Sequence, residues 1–441
     1  MKDPVCIAVK ICCVLALTSG AGTGDVAVDR TCEPLWSHIR TVDDLGELRD
    51  VSASFDGVGA QRVLRLQVKP SSNVYSWVDV PAPAVGWKLN TREAVEMEIR
   101  NCGDKPAEVM LWVVARHGWD AVGSFATVPV GAAHLFRCSL REAFPDGTPK
   151  IDPGQVKHLR IMARQANPGT RLEVRCPVAL GQVNAWTRLS SRLDVPDMEE
   201  GVALPSAGRR VRYALAGDEK NGIYSALYLP PEWKQGGRYP VIAEYSGNIF
   251  YVPACYSTGR PEQCVIGYGM TKGVGAIWVS LPFVDRKNGR VAEDGWGEAD
   301  ATADYAVRAV ETICRDFGGD RRNVVLTGFS RGAIACGYIG LRNEQIAALW
   351  KGFHACQHYD GDGWGGADMA GALKRAHRFA GRAVFQTDNP AKNIPPLMEI
   401  MKAETTFVQS GLHAHACAMF LDDRPSTLQL RAWFQNLMEK Q

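Results

Sequence analysis

The chain lacks the features that mark several large functional classes. It has no runs of Lys or Arg, and 50 basic residues balance 48 acidic ones to a formal net charge of +2. A nucleic-acid-binding surface needs clustered positive charge, so we expect no nucleic-acid partner. No C-x-x-C pair and no Cys/His zinc spacing occurs, so we expect no metal site. The absence of a repeat of fixed period argues against a solenoid or propeller.

Long apolar runs are also scarce. Beyond the N-terminus no segment approaches the roughly 20 apolar residues of a membrane-spanning helix, so we expect no membrane partner after signal removal. The N-terminus itself has Lys2 and Lys10, a short apolar run at 11–17 and small residues at 18–22. This order predicts a secretory signal peptide over residues 1–24, and therefore a secreted, periplasmic or extracellular protein.

The chain has thirteen cysteines. Three of them fall in the signal segment, and the ten that remain are an even number, which suits an oxidising compartment. The sequence predicts a disulfide between Cys255 and Cys264, which would close a loop rich in Gly and Pro. For Cys314, Cys336 and Cys356, which lie in apolar segments, buried free thiols are the alternative.

Residues from about 45 to 180 show an apolar period of two. Leu64, Leu66 and Val68 alternate with polar residues, and turn signals separate eight or nine such short segments. This pattern predicts an all-β sandwich, jelly-roll-like, over residues 25–182. Four aromatic residues of this half either form a platform on which sugars stack or fill the core, the second being the simpler reading for each: Tyr75, Trp77, Trp87 and Trp119.

A different pattern follows a polar, Pro-containing segment at 183–205, which is typical of a linker or entry segment. Over 206–441 apolar strands alternate with helical segments, the clearest helix lying at 299–317. Strand–helix alternation predicts a mostly parallel sheet with helices on its faces. With 441 residues, the chain is also too long for one ordinary core, so two domains are expected.

The most informative motif lies in this second half. Residues 323–327 read as a buried strand, and Gly328-Phe329-Ser330-Arg331-Gly332 gives a G-x-S-x-G turn with a helical segment behind it. In that context the motif is a nucleophile elbow, which exposes the serine hydroxyl above the sheet. The sequence therefore predicts Ser330 as a nucleophile. The alternative is a Gly/Ser turn that closes a strand–helix unit.

A serine nucleophile needs a base and an orienting acid, which follow an elbow of this kind in the order acid, then histidine. His413 and His415 lie between the last strand and the final helix, and we prefer His415. Asp388, at the end of the preceding strand, is the preferred acid. Asp360 and Asp362, one strand earlier, are the alternatives.

The developing oxyanion needs hydrogen-bond donors. One is expected to be the backbone N–H of Arg331, and the other to come from the loop at Gly247 and Asn248, whose side-chain amide is a further candidate donor. The Arg331 guanidinium itself either holds an oxyanion or carboxylate near the reacting carbon or fixes the elbow helix through a salt bridge.

The segment from about 201 to 441 resembles the α/β-hydrolase superfamily. The matching features are the elbow at Ser330, Asp388 after a strand and His415 before the last helix. The segment is most similar to secreted esterases and to the catalytic domains of prolyl-oligopeptidase-like proteins. Glucuronoyl esterases carry a similar arginine after the serine, although Gly332 here comes one position earlier than in their motif. The resemblance implies an α/β-hydrolase fold with a mostly parallel central sheet over 206–441 and no cofactor. The N-terminal half resembles the sandwich modules attached to secreted polysaccharide-degrading enzymes.

These observations favour a secreted serine esterase that acts on an ester-decorated carbohydrate or polysaccharide, or on a small ester. One alternative is a prolyl-oligopeptidase-like peptidase, although the expected propeller is missing. Another is a non-catalytic glycan-binding protein whose hydrolase domain has decayed.

Overall fold

A computed structural model describes residues 33–116, 119–165, 168–187, 192–199, 204–389, 394–402 and 404–440. The predicted signal peptide at 1–24 lies outside these residues. The chain separates into two compact units, Met1–Arg116 with Asp120–Arg188, and His117–Trp119 with Leu189–Gln441. The boundaries expected for a linker at 183–205 stay predictions.

The described part of the first unit contains two antiparallel sheets. Their strand orders are β1-β12-β6-β11-β4-β3, with β9 added beside β6, and β2-β5-β10-β7-β8. The twelve strands are β1 (Glu33–Pro34), β2 (Leu48–Arg49), β3 (Val51–Asp56), β4 (Val63–Val68), β5 (Tyr75–Pro81), β6 (Ala94–Asn101), β7 (Ala107–Val114), β8 (Ala121–Val128), β9 (Ala133–Ser139), β10 (His158–Arg164), β11 (Arg171–Arg175) and β12 (Val178–Leu180).

One apolar core lies between these two sheets. Along β4, Leu64, Leu66 and Val68 are buried while Arg65 and Gln67 are exposed, because successive side chains of a strand point to opposite faces. The four aromatic residues considered as a sugar platform are all buried, which leaves no ring face free for stacking: Tyr75, Trp77, Trp87 and Trp119.

Among the residues that the structure describes, the second unit is built on a mixed sheet of nine strands in the order β13-β14-β15-β19-β16-β22-β23-β24-β25, accompanied by the two hairpins β17/β18 and β20/β21. The thirteen strands are β13 (Met198–Glu199), β14 (Arg210–Tyr213), β15 (Ser225–Tyr228), β16 (Tyr239–Tyr245), β17 (Phe250–Val252), β18 (Cys255–Ser257), β19 (Ile277–Leu281), β20 (Val284–Asp285), β21 (Arg290–Val291), β22 (Gly319–Phe329), β23 (Gly352–Cys356), β24 (Ala383–Thr387) and β25 (Thr405–Val408).

Seven helices accompany this sheet in the described part of the second unit. Among the described residues, none of the helices is both long and apolar enough to cross a membrane. The helices are α1 (Ile266–Thr271), α2 (Ala299–Asp316), α3 (Arg331–Tyr338), α4 (Glu344–Ala347), α5 (Met369–Ala376), α6 (Pro395–Met401) and α7 (Pro425–Glu439).

The fold class expected from the sequence is wrong. Strands make up 35% of the chain and helices 22%, and several sheets are antiparallel. The chain is therefore mostly β structure, rather than a sandwich followed by an α/β-hydrolase fold with a mostly parallel central sheet. The alternating pattern overstated the helix content, because α1 and α4 have only six and four residues. The connections on either side of β19 form antiparallel hairpins, and β15 pairs antiparallel with both of its neighbours.

The register of four neighbouring strands gathers several loops at one edge of the sheet. Phe329 lies beside Cys356, Cys356 beside Thr387, and Thr387 beside Val408, all in parallel ladders. The four segments that follow these residues therefore leave the sheet at the same level. The predicted nucleophile, acid and base all lie in them.

Candidate active site

The turn at Ser330 is a strained junction between β22 and α3. Ser330 has φ 54° and ψ −118°, a conformation that residues with a side chain rarely adopt. The flanking glycines are required by close packing. A Cβ on Gly332 would lie 2.0 Å from the carbonyl oxygen of Tyr245, and one on Gly328 would lie 2.2 Å from the carbonyl carbon of Gly332. The half-buried hydroxyl of Ser330 is thus held at the end of the strand.

His415 lies against this hydroxyl. Its Nε2 is 3.0 Å from Ser330 Oγ, and its ring packs against Phe329 with a centroid distance of 4.7 Å. Burial, with a smaller contribution from the charge of His358, lowers the pKa of His415 to about 4. The imidazole is therefore neutral at neutral pH and able to accept the serine proton. His413 is exposed, has φ 53° and does not line the cavity at Ser330.

Gln357 and Asp388 help to hold the loop that carries His415. Gln357 donates from Nε2 to the backbone oxygen of Ala414 at 2.7 Å. The Asp388 carboxylate accepts the backbone N–H of Ser410 at 2.6 Å and its hydroxyl at 2.7 Å. These two residues directly follow β23 and β24, so the loop is anchored to the strand ends beside Ser330.

The three candidate acids have different partners. Asp388 bonds to Ser410, and it makes no hydrogen bond to His415 within the part of the chain that the structure describes. Asp360 is buried in an ion pair with Arg375, with the nearest N–O distance 2.8 Å. Asp362 accepts from His358 Nδ1 at 2.5 Å.

His358 is a site residue that the sequence analysis did not single out. Its ring stands edge-on to that of His415, with a centroid distance of 5.5 Å, and it lines the same cavity. The signal available in the sequence was its position, two residues after the strand that neighbours β22.

The Arg331 side chain is buried, and its guanidinium is hydrogen-bonded to backbone carbonyls. Its Nη1 donates to the carbonyl oxygens of Ala292 and Gly295 at 3.1 and 2.7 Å. Its Nη2 donates to those of Gly247 and Gly259, both at 2.9 Å. Burial lowers the pKa of Arg331 to about 9, so the group remains cationic at neutral pH.

These contacts overturn both roles considered for the Arg331 guanidinium. It binds backbone carbonyls of three loops, with Phe283 beneath it at 3.9 Å from the ring centroid, and it forms no ion pair among the described residues. The backbone N–H of Arg331, in contrast, lies in the first turn of α3, where helical N–H groups have no intrahelical acceptor. That N–H keeps its place as a candidate oxyanion donor.

The Asn248 side chain, expected as a further donor, is hydrogen-bonded to neighbouring loop residues instead. Its Nδ2 donates to Asp294 Oδ1 at 2.7 Å and to the Ile249 carbonyl at 3.2 Å, and its Oδ1 accepts from the N–H of Gly295 at 2.9 Å. Asn248 therefore holds its own loop against the one at 294–295. Gly247 and Asn248 line the cavity, but the amide of Asn248 is not available to an oxyanion.

A cavity of about 220 Å³ opens beside Ser330. Its wall is mainly apolar, and polar side chains reach it at a few points. It is lined by Gly247, Asn248, Phe250, Cys255, Ser257, Phe329, Ser330, Arg331, Ile334, His358, Trp364 and His415. Three of these come from the hairpin β17/β18, to which the sequence pattern assigned no function.

The predicted disulfide between Cys255 and Cys264 is wrong. Both are free thiols, as are all nine cysteines in the described part of the chain. Cys255 lies on β18 and lines the cavity. Cys264 Sγ points instead toward the carbonyl oxygen of Glu244, at 4.0 Å. The two side chains therefore contact different neighbours, although only a short loop separates the two residues in the chain. Burial raises the pKa of Cys255 to about 12.

Comparison with known proteins gives only distant likenesses. No family model and no curated protein matches the chain. An exo-β-agarase is 12% identical over 34% of this chain, which spans 25% of the agarase, with a TM-score of 0.29. A family 29 carbohydrate-binding module is 11% identical over 35% of this chain and 92% of its own, with a TM-score of 0.24. A structure from a study of two Rhizomucor miehei esterases is 11% identical over 49% and 79%, with a TM-score of 0.34. Scores this low carry no argument about this chain's activity.

Replacing Arg331 with Met should destabilise the second unit. The substitution leaves the buried carbonyls of three loops without their donor, so we expect the free energy of unfolding to fall by about 3 kcal/mol or more. Chemical denaturation followed by tryptophan fluorescence measures the change. Arg315→Met is the control, since Arg315 is 67% exposed in its pair with Asp316, and exposed ion pairs contribute little to stability. Equal stability of the two variants would contradict the role assigned to Arg331.

Proposed function

We propose that this protein is a serine hydrolase that cleaves carboxylic esters, with Ser330 as nucleophile and His415 as base. The observation that carries the proposal is the 3.0 Å contact between Ser330 Oγ and His415 Nε2 at a strained strand-to-helix turn. A serine hydroxyl is a weak nucleophile, and an adjacent neutral imidazole is the usual means of activating it.

The reaction has two halves. Ser330 Oγ bonds to the ester carbonyl carbon as its proton passes to His415 Nε2, and the oxyanion faces the backbone N–H of Arg331. The carbon–oxygen bond to the alcohol then breaks, and His415 returns the proton to the leaving oxygen. Water next attacks the acyl-enzyme with His415 again as base, which releases the acid and restores Ser330.

The cavity supports a small acyl or alcohol group. Its volume is about 220 Å³, and Phe329, Ile334 and Trp364 contribute apolar walls. Phe250, 44% exposed, lines the same cavity. Because the apolar face of a sugar packs well on aromatic rings, we include an ester-decorated carbohydrate in the proposal.

Asp388 is the proposed acid, acting through the loop that it anchors. The support is its position at the end of β24, in register with the nucleophile strand, and its two hydrogen bonds to Ser410, five residues before His415. Loss of these bonds would let the imidazole move away from Ser330 Oγ.

The first test is hydrolysis of short-chain aryl esters by the purified chain. We expect Ser330→Ala and His415→Ala each to lower kcat by about 10⁶-fold, because nucleophile and base act as a unit. His413→Ala is the matched control and should leave kcat little changed, since His413 is exposed and outside the cavity. Wild-type activity that survives Ser330→Ala would overturn the proposal, as would cleavage of peptides but not of esters.

The second test compares Asp388→Asn with Asp362→Asn. We expect Asp388→Asn to lower kcat/KM by about 10²-fold, the cost of a misplaced catalytic group. If the carboxylate were bonded directly to the base, its replacement by an amide would lower kcat by about 10⁴-fold. A larger loss for Asp362→Asn than for Asp388→Asn would instead assign the acid to the His358–Asp362 pair.

The third test is the pH dependence of kcat/KM. The folded protein disfavours protonated His415, so the neutral base persists down to its pKa of about 4. We expect activity to stay on its plateau at pH 5 and to fall only toward pH 4. An ordinary histidine would lose half its activity near pH 6.5. His358→Gln should move the acid limb to higher pH, because it removes a neighbouring positive charge. A limb centred near pH 6.5 in the wild type would contradict this account.

A further inference from the structure

We propose that Ser257 is a catalytic residue. Its hydroxyl would donate a hydrogen bond to the oxyanion, the former ester carbonyl oxygen, when Ser330 attacks the ester. The inference rests on the proposed function and adds a donor to it. The backbone N–H of Arg331 is one proposed donor, and the loop at Gly247 and Asn248 is the expected source of the other. The Asn248 side-chain amide, considered as a further donor, is instead bonded to Asp294 and Ile249.

The first observation is a buried hydroxyl without a partner. Ser257 is 1% exposed, and its Oγ makes no hydrogen bond to any residue that the structure describes. Nearly all buried polar atoms in folded proteins are hydrogen-bonded, because an unpaired atom has lost its hydrogen bonds to water and gained none within the protein. A hydroxyl left in this state calls for an explanation outside the folded chain itself.

The second observation is where that hydroxyl lies. Ser257 is on β18, opposite Phe250 of β17 in the antiparallel hairpin. Cys255 and Ser257 are two residues apart, so they share a face of the strand. Both line the cavity that contains Ser330 and His415.

The third observation places Ser257 beside the loop expected to border the oxyanion. A Cβ built on Gly247 would lie 3.5 Å from Ser257 Oγ and 3.2 Å from Phe329 Cδ1. The hydroxyl thus borders the space at Gly247, next to the loop after β16. Because a serine hydroxyl rotates freely, its proton can turn toward an oxygen that enters this space.

The arrangement also explains why a polar atom is retained there at a cost. In the free protein the Ser257 hydroxyl is desolvated and unpaired, and in the tetrahedral intermediate it gains a charged acceptor. A donor that improves its bonding only as charge develops lowers the barrier without tightening the binding of substrate.

The test compares wild type with Ser257→Ala on a short-chain aryl ester. Removing one oxyanion donor typically costs about 10²- to 10³-fold in kcat, so we expect a loss in that range with KM little changed. The thermal midpoint should stay level or rise, because the deleted atom has no partner in the folded state. Ser426→Ala is the matched control. Ser426 is also buried with an unpartnered hydroxyl but lies outside the cavity, so kcat should not change.

A second readout does not depend on turnover. A fluorophosphonate labels an activated serine, and its phosphoryl oxygen would occupy the same donor position, so labelling of Ser257→Ala should be slower than that of wild type. Unchanged kcat and labelling in Ser257→Ala, with an active wild type, would overturn the inference and leave the proposed function standing. A raised KM at unchanged kcat would also overturn it, as would a lowered thermal midpoint with normal labelling. A wild type that neither hydrolyses esters nor becomes labelled would overturn both proposals.

Discussion

The arrangement around Ser330 depends on one buried cation. The guanidinium of Arg331 joins the carbonyl oxygens of Gly247, Gly259, Ala292 and Gly295, which belong to three separate loops. A buried charge is costly unless hydrogen bonds compensate it, so these loops and the cation require each other. Arg331 also directly follows Ser330, the proposed nucleophile. Its side chain therefore holds the loop at Gly247, which lines the cavity, while its backbone N–H lies in the first turn of α3.

The second constraint is the shared level at which neighbouring strands end. The first residue after β22 is Ser330, the first after β23 is Gln357 and the first after β24 is Asp388. All three have a positive φ, of 54°, 70° and 59° respectively. Such conformations are uncommon for residues with a side chain. The backbone therefore turns sharply after each of these three strands, at the same edge of the sheet. These turns place the Ser330 hydroxyl, the Gln357 amide and the Asp388 carboxylate around the loop that carries His415.

Part of the cavity wall comes from the hairpin β17/β18, a segment with no recognisable sequence pattern. The hairpin β17/β18 is short, and its three cavity residues differ in chemistry: an exposed aromatic ring, a buried thiol and a buried hydroxyl. The Cys255 thiol lines the cavity, and its buried environment raises its pKa to about 12. Burial therefore disfavours the thiolate, which is the reactive form of a cysteine.

The sequence alone determined features that depend on neighbouring residues. The elbow at Ser330 was readable because the glycines on both sides are needed by local packing, and the strand at Leu64–Val68 was readable because its apolar residues alternate. Features that depend on distant residues were not readable. The fold class was wrong, because the pairing direction of strands such as β15 is set between segments far apart in the chain. The disulfide was wrong, because side-chain direction and not loop length decides which thiols meet. Only the tertiary structure placed His415, 85 residues from Ser330, within hydrogen-bond distance of it and left His413 at the surface. It likewise buried the Ser257 hydroxyl beside Gly247, because the packing of a hairpin against a cavity leaves no trace in the local pattern of a sequence.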